Sequence, residues 1–104
     1  MKKIIHLALL VVSFSANSAT VSGNDFLNLL NSKDRTEFLG AMSYIEMLAK
    51  ALDKSSFCLP ENIRLTELRD VVKEDLTNNP KDRNQPVNNL VANSLKKAFP
   101  CTSK

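Results

Sequence analysis

The chain has 104 residues, with 14 Lys and Arg against 11 Asp and Glu, one His and two Cys. That length holds one small domain and excludes two. With 43 % apolar and 24 % charged residues the composition is globular rather than disordered, and two Gly with four Pro are too few for a turn-rich sandwich or barrel, which leaves helices.

Met1-Lys2-Lys3 supplies positive charge, Ile4 to Phe14 is apolar but for His6 and Ser13, and Ser15 to Ala19 closes the run with small residues. This is the pattern of a secretory signal peptide over residues 1–19, with cleavage expected after Ala19 or, next, after Ser18. The apolar run is shorter than the roughly 20 residues a spanning helix needs, so no membrane insertion is expected after cleavage. The paired lysines suggest a bacterial periplasm. Without a polar cap ahead of it, the alternative of a buried amino-terminal helix is disfavoured. Loss of the signal removes the only histidine, His6, together with Lys2 and Lys3, and leaves 12 basic against 11 acidic residues. The basic excess, the feature that draws nucleic acid or anionic lipid, nearly vanishes. Ser-His-Asp and Cys-His catalysis and the common zinc sites need imidazole or more cysteines, so no catalytic, metal or cofactor residues are assigned.

The mature chain, 20–104, reads as a single helical domain. Ser22-Gly23-Asn24-Asp25 resembles a capping box and opens a short helix carrying Phe26, Leu27, Leu29 and Leu30, which Asn31-Ser32 stops. Asp34-Arg35-Thr36-Glu37 opens the longest helix, with Phe38, Met42, Ile45, Ala49 and Leu52 on one stripe. Its opposite side holds Gly40, Tyr44, Met47 and Ala51, and only the arc with Ser43, Glu46 and Lys50 is clearly polar. The helix is therefore expected either at the centre of a bundle or with its second face, Gly40, Tyr44 and Met47, against another subunit. Lys54 to Pro60 is a loop that carries Phe57 and Cys58.

A third helix is predicted over 65–77, burying Leu65, Leu68, Val72 and Leu76 with Val71 beside them. Residues 78–85 form a polar loop, the most exposed of the chain, and Pro86 suits the first turn of the last helix. That helix buries Val87, Leu90, Val91, Leu95 and Ala98. Glu67, Asp70, Glu74 and Asp75 lie among Arg64, Arg69 and Lys73 at salt-bridge spacing, which describes a solvated face better than a metal or acid-base site. Lys96 and Lys97 complement the dipole of the last helix. An exported chain with an even cysteine count points to an internal disulfide between Cys58 and Cys101. Closing a loop of roughly 40 residues, it would stabilise the fold by about 4 kcal/mol in the chain-entropy model. The fold expected is a small all-α bundle of four to five helices stapled by that bond.

From Phe57 onward the residues fall into a pattern: Cys58-Leu59-Pro60-Glu61, Leu65-x-x-Leu68-x-x-Val71-Val72-x-x-x-Leu76, Asn79-Pro80, Leu90-Val91 and Ala98-Phe99-Pro100-Cys101. This resembles the Rap/Tai family of immunity proteins over about half the mature chain, with the Cys-Leu-Pro and Phe-Pro-Cys ends as its most specific part. Upstream, Ser43-Tyr44-Ile45 resembles a Gly-Tyr-Ile segment of the family's long helix, without the Cys and Gly usual near it. Arg64 stands where the family often has Thr or Ser before the third helix.

The resemblance implies a periplasmic binding protein with no turnover. It would neutralise a peptidoglycan amidase delivered by a neighbour's type VI secretion system, a toxin-antitoxin-like pairing in which the inhibitor is commonly a homodimer. The segment expected to fill the amidase groove is the 78–85 loop, with Asn78, Asn79, Lys81, Asp82, Arg83, Asn84 and Gln85 as partner-binding residues. The alternative is a periplasmic acid-stress chaperone resembling the HdeA family, similar in size, helical build and single disulfide but without the end motifs. A small secreted hydrolase would need a nucleophile and base that the mature chain does not offer.

Overall fold

The computed structural model describes residues 21–102, and the predicted signal, residues 1–19, lies outside them. Among the described residues four α-helices follow one another: α1 (Gly23–Leu30), α2 (Arg35–Leu52), α3 (Leu65–Asn78) and α4 (Val87–Ala98), with a 3-10 turn at Pro80–Asp82. Each helix packs against the other three, and among the described residues the only strand-like pairings are two isolated bridges. An all-α bundle with one disulfide is what the composition and the apolar stripes predicted.

Local chemistry explains the helix boundaries. Ser22 starts α1 by accepting the Asp25 N–H on its Oγ at 3.1 Å. Asp34 starts α2, its Oδ1 accepting from the N–H of Thr36 at 2.9 Å and of Glu37 at 3.4 Å, while Ser32 Oγ donates to Glu37 Oε1 at 2.6 Å. At α3 the expected cap residue is Arg64, whose guanidinium can only donate. The helix begins there nonetheless, because Glu67 reaches back and accepts the Arg64 N–H at 2.8 Å, supplying half of a capping box. Pro86 is the residue before α4 rather than part of its first turn, with φ −60° and ψ 140°. The chain leaves α2 through Lys54, held in the left-handed region at φ 75°.

The core is built from Phe26 and Leu30 of α1, Ala41, Ile45 and Ala49 of α2, Leu68, Val72 and Leu76 of α3, and Val87, Leu90, Val91 and Leu95 of α4. Phe57, on the loop after α2, is fully enclosed and closes one end of it. Several stripe residues pack less deeply than expected. Ala98 is exposed, and its place at the α3–α4 seam is taken by Ser94, one turn earlier and buried. Phe38, Leu52 and Leu65 are only half-buried. Of the two places expected for the long helix α2, the single chain does not show it enclosed at the centre: Gly40, Met47 and Ala51 face outward, Met47 being 57 % exposed. Tyr44 alone of that face turns inward, packing edge-on against Phe26 with ring centroids 5.5 Å apart.

The bundle has two differently fastened ends. The carboxyl ends of α2 and α4 and the start of α3 meet the 53–64 loop, where Cys58 and Cys101 are bonded with Cα atoms 4.9 Å apart. The starts of α1 and α4 and the end of α3 meet the 79–86 segment, with Ser22 bridged antiparallel to Pro86. The fourteen residues of α3 hold these ends about 20 Å apart.

Candidate partner-binding surface

The segment after α3 is exposed as the sequence suggests, with Asn78, Lys81, Asp82, Asn84 and Gln85 open to solvent and Asn79 and Arg83 half-buried. It is also tightly framed. Proline stands at both ends, Pro80 opening the 3-10 turn and Pro86 preceding α4. Inside, the Asp82 N–H donates to Asn79 O at 3.1 Å and the Gln85 N–H to Asp82 O at 3.1 Å.

Sequence reasoning missed what holds this loop from outside. The N–H groups of Gly23 and Asn24 donate to the carbonyls of Gln85 and Arg83 at 3.0 and 2.8 Å, and the Val87 N–H donates to Val21 O at 2.8 Å. A helix start leaves N–H donors that the helix cannot use, and here the loop accepts them. The available signal was Gly23, one of only two glycines, placed directly after a cap.

Beneath the loop a polar cluster joins α3 to α4. Asp75 accepts from Ser94 Oγ at 2.6 Å, from Lys97 Nζ at 2.7 Å and from Asn79 Nδ2 at 3.0 Å. The same Asn79 amide donates to the Asp75 carbonyl at 2.8 Å, fixing the loop's first residue to the last turn of α3. Ser94 Oγ also lies 2.8 Å from the Leu90 carbonyl, so its single proton is shared between that oxygen and the carboxylate. Burial pushes the Asp75 carboxyl up, but the hydrogen bonds from Lys97 and Ser94 and the Lys97 charge outweigh it and hold the group below its ordinary range. Asp75 thus departs from the solvated face expected of it, and Lys97 is a cross-helix partner as well as a terminal cation. Glu67 is the α3 cap, and Arg69 pairs with adjacent Asp70 at 2.9 Å. The Arg83 guanidinium lies under the loop, donating to Leu76 O at 3.4 Å while its Nε is buried without a partner among the described residues.

The other expected surface is on α2. Gly40 has open space around it and Met47 is exposed. Beside Gly40 runs a largely apolar groove of about 320 Å³ between α1 and α2, floored by Phe26, Leu29, Ala41 and Tyr44. Burial raises the Tyr44 phenol above its ordinary value, in keeping with a ring that lines this groove and supports Phe26.

Chemically these surfaces can bind and shield. Asp34 and Glu67 cap helices, Glu46 and Asp70 pair with neighbouring cations, Asp75 is held in its cluster, and no group of three or more metal-ligating side chains occurs among the described residues. Nor is any helix among them long and apolar enough to cross a membrane.

A search of curated proteins returns no match. The family model of the Rap1a immunity proteins covers residues 22–101, from the Ser22 cap of α1 through the framed loop to the second half-cystine, and the chain belongs to that immunity protein family.

Proposed function

We propose that this immunity protein acts in the periplasm, after removal of residues 1–19, by binding and inhibiting a peptidoglycan amidase effector delivered through type VI secretion. Family membership gives the role of an immunity protein rather than an enzyme. Export is supported by the signal-like head and by the Cys58–Cys101 bond, because a disulfide persists in an oxidising compartment.

The observation that carries the reading is the frame of the 78–85 loop. An inhibitor that fills a cleft gains affinity when its inserted segment is ordered before contact, since ordering it on binding costs free energy. Lys81, Asp82, Asn84 and Gln85 project from a backbone fixed by two prolines, by the α1 start and by the Asn79–Asp75 bonds. These exposed side chains are the proposed contacts to the amidase, while Asn79 and Arg83 hold the loop from below. The outward face of α2 with Gly40 and Met47, continuous with the groove beside Tyr44, is the proposed homodimer surface.

The test uses the exported, disulfide-bonded protein and a candidate peptidoglycan amidase taken from a reading frame adjacent to its gene. Co-purification and loss of peptidoglycan hydrolysis on stoichiometric addition are expected. Full amidase activity in the presence of excess folded protein would refute the reading.

A further inference from the structure

We infer that the first turn of α1 is a positioning element for the 78–85 loop, and that Gly23 sets how closely the two approach; the inference rests on the proposed role of that loop in binding. In α1 the Ser22 side chain serves only the Asp25 N–H. The two preceding donors, on Gly23 and Asn24, are given to Gln85 O and Arg83 O. These bonds fall on the second half of the loop, where side chains provide little anchorage to the helices: the contact from Arg83 to the Leu76 carbonyl is long, at 3.4 Å, and Gln85 reaches only Asp82 within the loop. The position of residues 83–86 is therefore set by backbone pairing with α1.

Gly23 is buried against this junction. A β-carbon there would collide with the Leu90 side chain and stand 3.0 Å from the Arg83 carbonyl oxygen and 3.2 Å from its Cα. Leu90 can turn aside, but the Arg83 backbone can yield only by moving the loop. The φ of Gly23 is not positive, so the position requires the absence of a side chain and not the conformational freedom of glycine. Alanine favours a helix more than glycine does, and a loss in Gly23→Ala comes from the contact alone. Gly23 thus governs the shape presented to the partner from behind the loop, on the α1 side of the junction.

Two variants test this in the exported full-length protein. Gly23→Ala crowds Arg83. Asn24→Pro removes the N–H bonded to Arg83 O at a first-turn position, where a helix tolerates proline. Each is expected to weaken binding of the amidase that the parent protein inhibits by about tenfold or more through lost preorganisation. Asn24→Ala, the conservative partner that keeps the N–H, restores parental affinity.

In the free protein, amide exchange should quicken at Gln85 and Val87 in Gly23→Ala and Asn24→Pro while Val72 and Leu76 stay protected. Unchanged exchange at Gln85 and Val87, loss of protection reaching Val72 and Leu76, or undiminished binding in either variant where the triple variant below loses it, overturns the inference. A Lys81→Ala, Asp82→Ala, Asn84→Ala triple variant judges the underlying reading separately. If it binds as the parent does, the loop is not the interface, whereas the exchange result still decides whether α1 positions it.

Discussion

The two ends of the bundle carry loops of similar standing in the topology, but one is bound covalently and the other by hydrogen bonds. At the first, Cys58 is bonded to Cys101, the Cys58 N–H donates to Phe99 O at 2.9 Å, Leu59 N–H donates to Asp53 Oδ1 at 2.8 Å, and Phe57 is sealed beneath. At the second, three backbone bonds to the α1 segment and the Asn79 amide do the fastening. A disulfide acts chiefly by restricting the unfolded chain, whereas each hydrogen bond adds a net of about 1 kcal/mol and fixes a shape. The covalent end thus supplies stability to a small domain, and the hydrogen-bonded end supplies a defined surface that can open locally without unfolding the rest.

Removing the staple is the largest test of that difference. Cys58→Ser should cost about 4 kcal/mol, as expected for a 43-residue separation, and lower the melting temperature by roughly 20 °C in a domain of this size. Added reductant should lower the parent's melting temperature and leave the variant unchanged. If the variant melted with the parent, the two ends would differ in chemistry but not in energy.

Much of this architecture was legible beforehand because it depends on periodicity. The stripes Phe26/Leu30, Met42/Ile45/Ala49, Leu68/Val72/Leu76 and Leu90/Val91/Leu95 repeat at helical spacing and are buried, and the caps at Ser22 and Asp34 stand where their side chains predict. The disulfide followed from an even cysteine count in a chain read as exported. What escaped depends on pairs distant in sequence. Nothing local distinguishes Asp75 from the neighbouring acids of α3; its burial follows from Ser94 and Lys97, which α4 brings across from about twenty residues away. In the same way Gly23 gains its importance only when Arg83 and Leu90 come to rest on it. The outward face of α2 is apolar in the sequence, but a pattern of residues cannot say whether such a face is covered by the same chain.

A smaller effect should come from the Asp75 cluster, which fastens α3 to α4 under the hydrogen-bonded end. Its carboxyl lies below the ordinary value of 3.8 in the folded protein, so its contribution is complete above that pH and drains away as pH falls through the folded value. Asp75→Ala should cost about 1 kcal/mol at neutral pH, a modest figure because Lys97 is largely exposed and Ser94 keeps the Leu90 carbonyl. Denaturant melts at pH 7 and pH 3 check the sign: the gap between parent and variant should narrow in acid. A gap that stayed constant would assign the cost to packing and not to the ionised carboxylate.

The two glycines sharpen the comparison at its smallest scale, because they are the same residue in opposite surroundings. Gly23 is hemmed in by Leu90 and Arg83, while a β-carbon at Gly40, in the middle of α2, would meet nothing within 4 Å. Gly40→Ala should therefore stabilise the single chain by about 0.5 to 1 kcal/mol through helix propensity, read as a higher melting temperature in dilute solution. The same variant probes the proposed self-association, in which a second copy approaches the helix over this bare position. There the added methyl holds the two helices apart, so the rise of melting temperature with protein concentration, the mark of a dimer, should shrink in the variant. An unchanged concentration dependence would place the subunit contact away from Gly40 and leave its gain in helix stability as the whole effect.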